Sequence, residues 1–190
     1  MAAPDATTIR DLSGTWVMNK TLSDDPDPIL QLQGIGWFLR TAIGLATITL
    51  HAKQYVTEDG VTHIDIDQTA TGGIKGTSEN RELDWQFRKH SDYIFGAVQG
   101  RSRFIKLEDV EDEFLKSGWL DEIKQDVAIQ NYVESLDAGW IANQIWGFEL
   151  IEGRRHYVRH VVVTKGDKRE QARLVYDYVE AQDDTLDIAY

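Results

Sequence analysis

Gln54 and Gln68 are the polar members of an otherwise apolar set, Ile48, Leu50, Val56, Ile64 and Ile66, that alternates along two neighbouring stretches of chain. Apolar walls with a few placed polar groups are how small-molecule pockets are built. Two core glutamines bonded to backbone or water would give the same pattern, and spacing alone leaves both readings open. Trp85, with Leu83 and Phe87 at alternate positions, is either core filling or a ring wall carrying an indole donor. Tyr176 and Tyr178 near the end of the chain, and Tyr157 with Arg159 before them, are further donors if their strands turn those positions inward. In the opposite phase His156 and His160 would face the interior. His63, Asp65 and Asp67 stand at i, i+2 and i+4, a spacing that suits a hard metal on one strand face. That face also carries His51, Lys53, Tyr55 and several threonines, the composition of a solvated exterior, so no metal is assigned.

Other chemistries have little support. The 190-residue chain has no cysteine, hence no thiol nucleophile, thiolate metal site or disulfide. It has no Gly-x-Ser-x-Gly elbow and no phosphate loop. Gly34-Ile35-Gly36 lacks the third glycine of a dinucleotide fingerprint, and no strand precedes it. A net charge of −12 argues against a nucleic-acid partner and against an anionic membrane surface. The N-terminus has no basic region or long apolar run, and no segment is apolar for long enough to span a bilayer. The expectation is a single acidic, cytoplasmic domain without a cofactor. Its six Trp, seven Tyr and six Phe are enough to line a core or a pocket.

Strands must position these side chains. Residues 46–57 and 61–71 read as a hairpin. A two-residue loop would mix apolar and charged residues on both faces. A loop of Glu58, Asp59 and Gly60, a type I turn closed by a left-handed glycine, separates the apolar set from the face of His51 and Asp65. Further short strands are expected over 12–22 and 83–87, and within 92–98, 101–108, 139–152, 155–164 and 169–180, with glycine turns between many of them. Many short strands with regular turns indicate an antiparallel sandwich or barrel, and closure is preferred because it removes unprotected edges. The acidic stretch 108–137 has helical spacing around Phe114, Leu115, Trp119, Leu120 and Ile123, and reads as an insertion packed on the barrel. After the first strand, Asp27-Pro28 starts a helix, Gly34 and Gly36 break it, and Gly44 ends it. The resulting pair of short helices, residues 27–44, would close a barrel mouth with Trp37, Phe38 and Ile43 over the cavity. The tail at 182–190 reads as loosely held.

The stretches SGTWVMNKTLSDD and LQGIGWFLRTAIG, a long hairpin, and the closing ARLVYDYVEA resemble the intracellular fatty-acid-binding proteins in the wider lipocalin-like group. The resemblance runs over Leu12 to Lys89 and again over His156 to Ala181. It implies a mainly β, antiparallel up-and-down barrel of about ten strands with a two-helix lid, in one domain. The chain departs from that family in its insertion and in its last strand. Where the family has an Arg-x-Tyr pair for a carboxylate, Tyr176-Asp177-Tyr178 stands instead, and Arg173 falls on the opposite face. LSGTWVMNKTLSDD, HIDIDQTATGG, GTSENRELDW and HSDYIFGAVQGRSR are similar to small lipocalin-like fungal proteins of meroterpenoid pathways. Among these are hetero-Diels–Alderases that join a tropolone quinone methide to a humulene-type sesquiterpene.

That second resemblance implies a cofactor-free pericyclase whose substrates are two small apolar molecules, a quinone methide and a terpene alkene. A non-catalytic carrier of a lipophilic molecule is the alternative. Gln54, Gln68, Trp85 and Tyr176 would then donate to the quinone-methide carbonyl. Trp37, Phe38, Leu50, Ile66, Phe87, Tyr157, Arg159 and Tyr178 would line the substrate space. Aromatics near Trp119 and Trp140, read as exposed, permit a homodimer.

Overall fold

The computed structural model describes residues 1–72, 74 and 76–180, so the tail at 182–190 lies outside the described residues. Ten strands form one antiparallel sheet: β1 (Gly14–Met18), β2 (Ile48–Val56), β3 (Thr62–Ala70), β4 (Thr77–Glu82), β5 (Arg88–Asp92), β6 (Gly96–Ile105), β7 (Ala128–Ser135), β8 (Ile141–Ile151), β9 (Arg154–Lys165) and β10 (Lys168–Val179). Their order is β4-β3-β2-β1-β10-β9-β8-β7-β6-β5. Because β1 pairs with β10, the sheet curls into a nearly closed barrel whose seam lies between its two end strands, β4 and β5.

The hairpin register is the one with the three-residue loop: Gln54 lies opposite Ile64 and Val56 opposite Thr62. Gly60 takes a positive φ of 84° and donates its N–H to the Thr57 carbonyl. A left-handed position of this kind suits glycine, which has no Cβ to clash. Strand alternation then carries one face inward around the ring. Trp16 pairs across with Leu50 and Tyr178, Tyr176 with Tyr157, and Arg159 with Trp146.

Segments before β1 fill one end of the barrel. Ile9 and Leu12 are buried with Trp16, whose indole donates to the Leu12 carbonyl at 2.9 Å. At the other end lies the lid, α1 (Asp27–Leu32) and α2 (Trp37–Leu45). Ile29, Leu30 and Ile35 pack on Val161, Val163 and Ala172. Each such side chain contributes about 1.5–3 kcal/mol of burial. Two details differ from expectation. Asp25, rather than Asp27, accepts the N–H at the start of α1, while Asp27 binds Arg40 of α2 at 2.8 Å. Gly44 lies inside α2, and its carbonyl accepts from Lys20.

The insertion is shorter than expected. Its helical part is a 3-10 turn (Leu107–Asp109) with α3 (Glu113–Lys116) and α4 (Asp121–Gln125), whereas Ala128–Ser135 of the same stretch is strand β7. The acidic composition of 108–126 carried the helical reading past the point where apolar alternation begins. The helices pack outside β8 and β9. A Cβ on Gly147 would stand 2.8 Å from the Trp119 ring and 3.3 Å from Ile123, so glycine there lets the insertion dock. Trp119 and Trp140 are both buried, so neither offers the exposed ring expected for a dimer contact. Among the described residues, no helix is long and apolar enough to cross a membrane.

Candidate active site

Two adjoining cavities occupy the barrel, about 470 Å³ beneath the lid and about 490 Å³ along the seam. Gln33, Glu79, Asp92, Phe95 and Gln144 line both. The lid-side cavity has walls of Ile29, Leu30, Ile43, Ile48, Val161 and Leu174. Into this apolar surface β9 sends Arg159, with only 6% of the residue exposed. Its guanidinium lies 3.8 Å from the centroid of the Trp146 ring, and its Nε donates to the Tyr157 hydroxyl at 2.9 Å. The Tyr176 ring is 5.3 Å away. Arg159 Nη2 is buried without a hydrogen-bond partner among the described residues. An orphaned donor on a buried cation is costly and calls for an acceptor.

Charge around Arg159 is arranged to keep it ionised. Burial opposes its charge, but Tyr157, Tyr176 and Glu79 outweigh that and raise its pKa. Glu79 points inward from β4. Burial opposes its ionisation too, yet Arg81 and Arg159 hold its carboxyl below the usual carboxylate range. Burial pushes both phenols, Tyr157 and Tyr176, above their ordinary values despite the nearby Arg159. Tyr176 therefore meets the cavity as a neutral O–H. Gln144 adds a further donor. Its Oε1 accepts from the Trp146 indole at 2.9 Å, which fixes the amide with Nε2 as its remaining donor end.

No family model matches the chain. It is 31% identical over 184 residues to the probable pericyclase scpY of Mollisia scopiformis, covering 95% of this chain and 96% of that one. It is 30% identical over 182 residues to pericyclase pydY of an Acremonium species, with 94% and 97% covered.

The chain belongs to this pericyclase family.

The barrel itself is shared more widely. A Schistosoma mansoni fatty acid binding protein in complex with arachidonic acid superposes with a TM-score of 0.56 at 13% identity, covering 91% of this chain and 99% of that one. Fatty-acid-binding protein 1 of Echinococcus granulosus gives 0.55 at 15%, with 89% and 98% covered. At that identity the likeness concerns the fold. The chain is thus a pericyclase-type protein on a fatty-acid-binding-protein-like barrel.

Within this pericyclase the residues singled out in the sequence separate into three places. Gln68 and Tyr176 line the lid-side cavity together with Arg159, and Tyr157 stands directly behind Arg159. The inward phase of β9 leaves His156 and His160 on the outer face, where His160 lies under Phe114 and Trp119 of the insertion. Leu50, Ile66 and Tyr178 belong to the packed core towards the filled end.

The remaining five lie away from the cavities. Gln54 accepts from the Leu12 N–H at 3.0 Å and donates to the Ile9 carbonyl at 3.3 Å, so its amide is spent anchoring the N-terminal segment. Trp85 and Phe87 fall in the break between β4 and β5, not in a strand. Trp85 has a positive φ of 63°, and its ring stacks with Arg101 and Arg103, each 4.1 Å away, while Arg101 also covers Phe87 at 4.4 Å. Trp37 and Phe38 do not cap the cavity. They are 61% and 83% exposed on α2, and it is Ile43 and Gly44 of that helix that line the cavity.

Glu79, Arg81, Gln144 and Trp146 were missed. Each had a signal. In Thr77–Glu82 the positions 77, 79 and 81 share the inward phase, and in Ile141–Ile151 Gln144 lies two residues before Trp146.

Proposed function

We propose that this pericyclase catalyses a hetero-Diels–Alder cycloaddition between a quinone methide of the tropolone type and a sesquiterpene alkene. Arg159 carries the reading: a buried, ionised guanidinium on the wall of a cavity that Ile29, Leu30, Ile43, Ile48, Val161 and Leu174 line on one side and Gln68, Glu79, Asp92 and Gln144 on the other. Cycloaddition makes two bonds and loses no atoms, so the protein has to hold the partners in a reactive pose and stabilise shifting charge. Holding two reactants together is worth up to about 7–11 kcal/mol in ideal cases. As bonds form, negative charge grows on the quinone-methide oxygen. The Arg159 guanidinium, with the Tyr176 hydroxyl and the amides of Gln68 and Gln144, would stabilise it. Apolar walls strengthen those hydrogen bonds and slow capture of the quinone methide by water.

The second reading is a non-catalytic carrier of a lipophilic small molecule, favoured by the same cavity, whose Arg159 guanidinium beside Tyr176 suits a carboxylate as well as a carbonyl. The deciding assay mixes purified protein with a hydroxymethyl tropolone precursor of the quinone methide and a humulene-type alkene. A faster reaction giving one stereoisomer of the adduct is expected. Adduct formed at the background rate with background stereochemistry would remove the cycloaddition reading.

A further inference from the structure

Beyond Gln144, the proposed chemistry makes no use of the cavity along the seam. That cavity differs in kind from its neighbour. Ile29, Leu30, Ile43, Ile48 and Leu174 wall the lid side, whereas among the described residues no Leu, Ile or Met lines the seam side. Its floor is made of small side chains, Val98 and Gly100 of β6, Val133 of β7 and Ala142 of β8. Phe95 and Trp140, edge to face at 6.0 Å, stand at its side. The inward-phase cations of the end strands are each bound by a carboxylate, Arg81 by Glu79 at 2.7 Å and Arg88 by Glu82, and His90 lies 3.5 Å from Asp92. Lys89 and Arg101 take the outward phase, opposite Gln99 and Tyr132. Polar walls whose inward charges are already matched suit a neutral dipolar ring better than a free ion.

The boundary between the two chemistries follows the strand register. One cross-strand row runs Ser102, Asn131, Gln144 and Val161 from β6 to β9. It is polar as far as Gln144, which lines both cavities, and aliphatic from Val161, which lines only the lid side. The neck at Gln144 lies beside Arg159, because Gln144 accepts from the Trp146 indole on whose face the Arg159 guanidinium rests. Each cavity, at about 470 and 490 Å³, has by itself the size of a small-molecule pocket, about 300–1,000 Å³. An aliphatic molecule gains contact against the lid-side wall, but on the seam side it would strip water from polar groups without replacing their bonds. We propose that the two reactants occupy separate chambers, the terpene alkene beneath the lid and the polar ring along the seam, and that they meet at the Gln144 neck. This rests on the cycloaddition reading for the identity of the two molecules. Ala70, which lines only the lid side, and Ala142, which lines only the seam side, are then specificity-determining residues, one for each reactant.

Binding tests this without turnover. Humulene serves as the alkene, and 2-methoxytropone as a neutral polar ring with no hydroxymethyl group to lose, so the two do not react. Each is titrated by calorimetry into the intact protein, alone and with the other at saturation. Neither should lose more than about twofold in affinity to the other, as for separated sites. Ala142→Phe should weaken 2-methoxytropone by about tenfold or more and leave humulene within about twofold, and Ala70→Phe should do the opposite. Mutual displacement of the probes on the wild-type protein, or failure of 2-methoxytropone to bind it, would overturn the division, and neither result depends on a variant folding. So would loss of humulene binding in Ala142→Phe with 2-methoxytropone retained. Displacement together with a faster, stereoselective cycloaddition would leave the proposed function standing on a single shared chamber. Independent binding with adduct formed at the background rate would remove the cycloaddition and keep the two chambers.

Discussion

The guanidinium carbon of Arg159 stands 3.8 Å from the centroid of the Trp146 ring. This contact turns a residue that would be costly to bury into a fixed part of the cavity wall, because a planar cation stacks on an indole face and keeps its edge N–H groups free to bond. Replacing Arg159 with Met should lower cycloaddition by about 10²–10³-fold, the usual loss when a preorganised donor is removed. The melting temperature should hold or rise, since a buried cation gives way to an apolar side chain of similar length. Single-turnover rates and thermal melts on the same preparation check both halves.

Gln54→Leu should do the reverse. The change strands the Leu12 N–H and the Ile9 carbonyl in the filled end of the barrel. Each unsatisfied buried group costs about 1–3 kcal/mol. Urea unfolding should show that loss, while turnover per folded molecule stays within twofold of wild type by about the margin expected for a site away from the chemistry.

Acid should weaken the seam. Arg88 on β5 donates to Asp84 at 2.7 Å and also binds Glu82 of β4. The hydrogen bond from Arg88 is the main reason that the Asp84 carboxyl is lowered to about 2. A depressed folded-state value means the stabilisation is present above the unfolded carboxylate value and lost as pH falls through about 2. The pair is partly open to solvent, so screening limits its worth to about 1 kcal/mol. Urea midpoints between neutral pH and the acid limb should fall less steeply for Arg88→Gln than for wild type.

Gly147→Ala tests the docking of the insertion. The new methyl would meet the Trp119 ring at 2.8 Å. Overpacking of this kind costs about 1–3 kcal/mol. Hydrogen exchange should quicken over 113–125, while binding in the cavity, on the other face of β8, is retained.

How far the chain could be read depended on whether a property was local. The β2–β3 register follows from alternation and one turn, so it was legible in full. Gln54 and Gln68 look alike in that alternation. Which of them meets a cavity depends on residues 9–12 filling one end of the barrel, a contact between segments more than forty residues apart by the separation of Gln54 and Leu12. Trp85 and Phe87 alternate as a strand would, but the seam falls there, and no local pattern marks where a sheet stops pairing. Trp37 and Phe38 were placed over the cavity by their oiliness alone, yet after the turn at Gly34 the first residues of α2 are presented to solvent. Arg159 was singled out with Tyr157 because both share one phase of β9, and that phase is the inward one.

The seam has a mechanical meaning. Neighbouring strands elsewhere are laced by backbone ladders, but β4 and β5 terminate the strand order and are spanned by the side chain of Arg88. A tube slit along its length can dilate by letting go of a few side-chain bonds, with every ladder kept intact. Room beside the seam can therefore be gained without unpairing any strand.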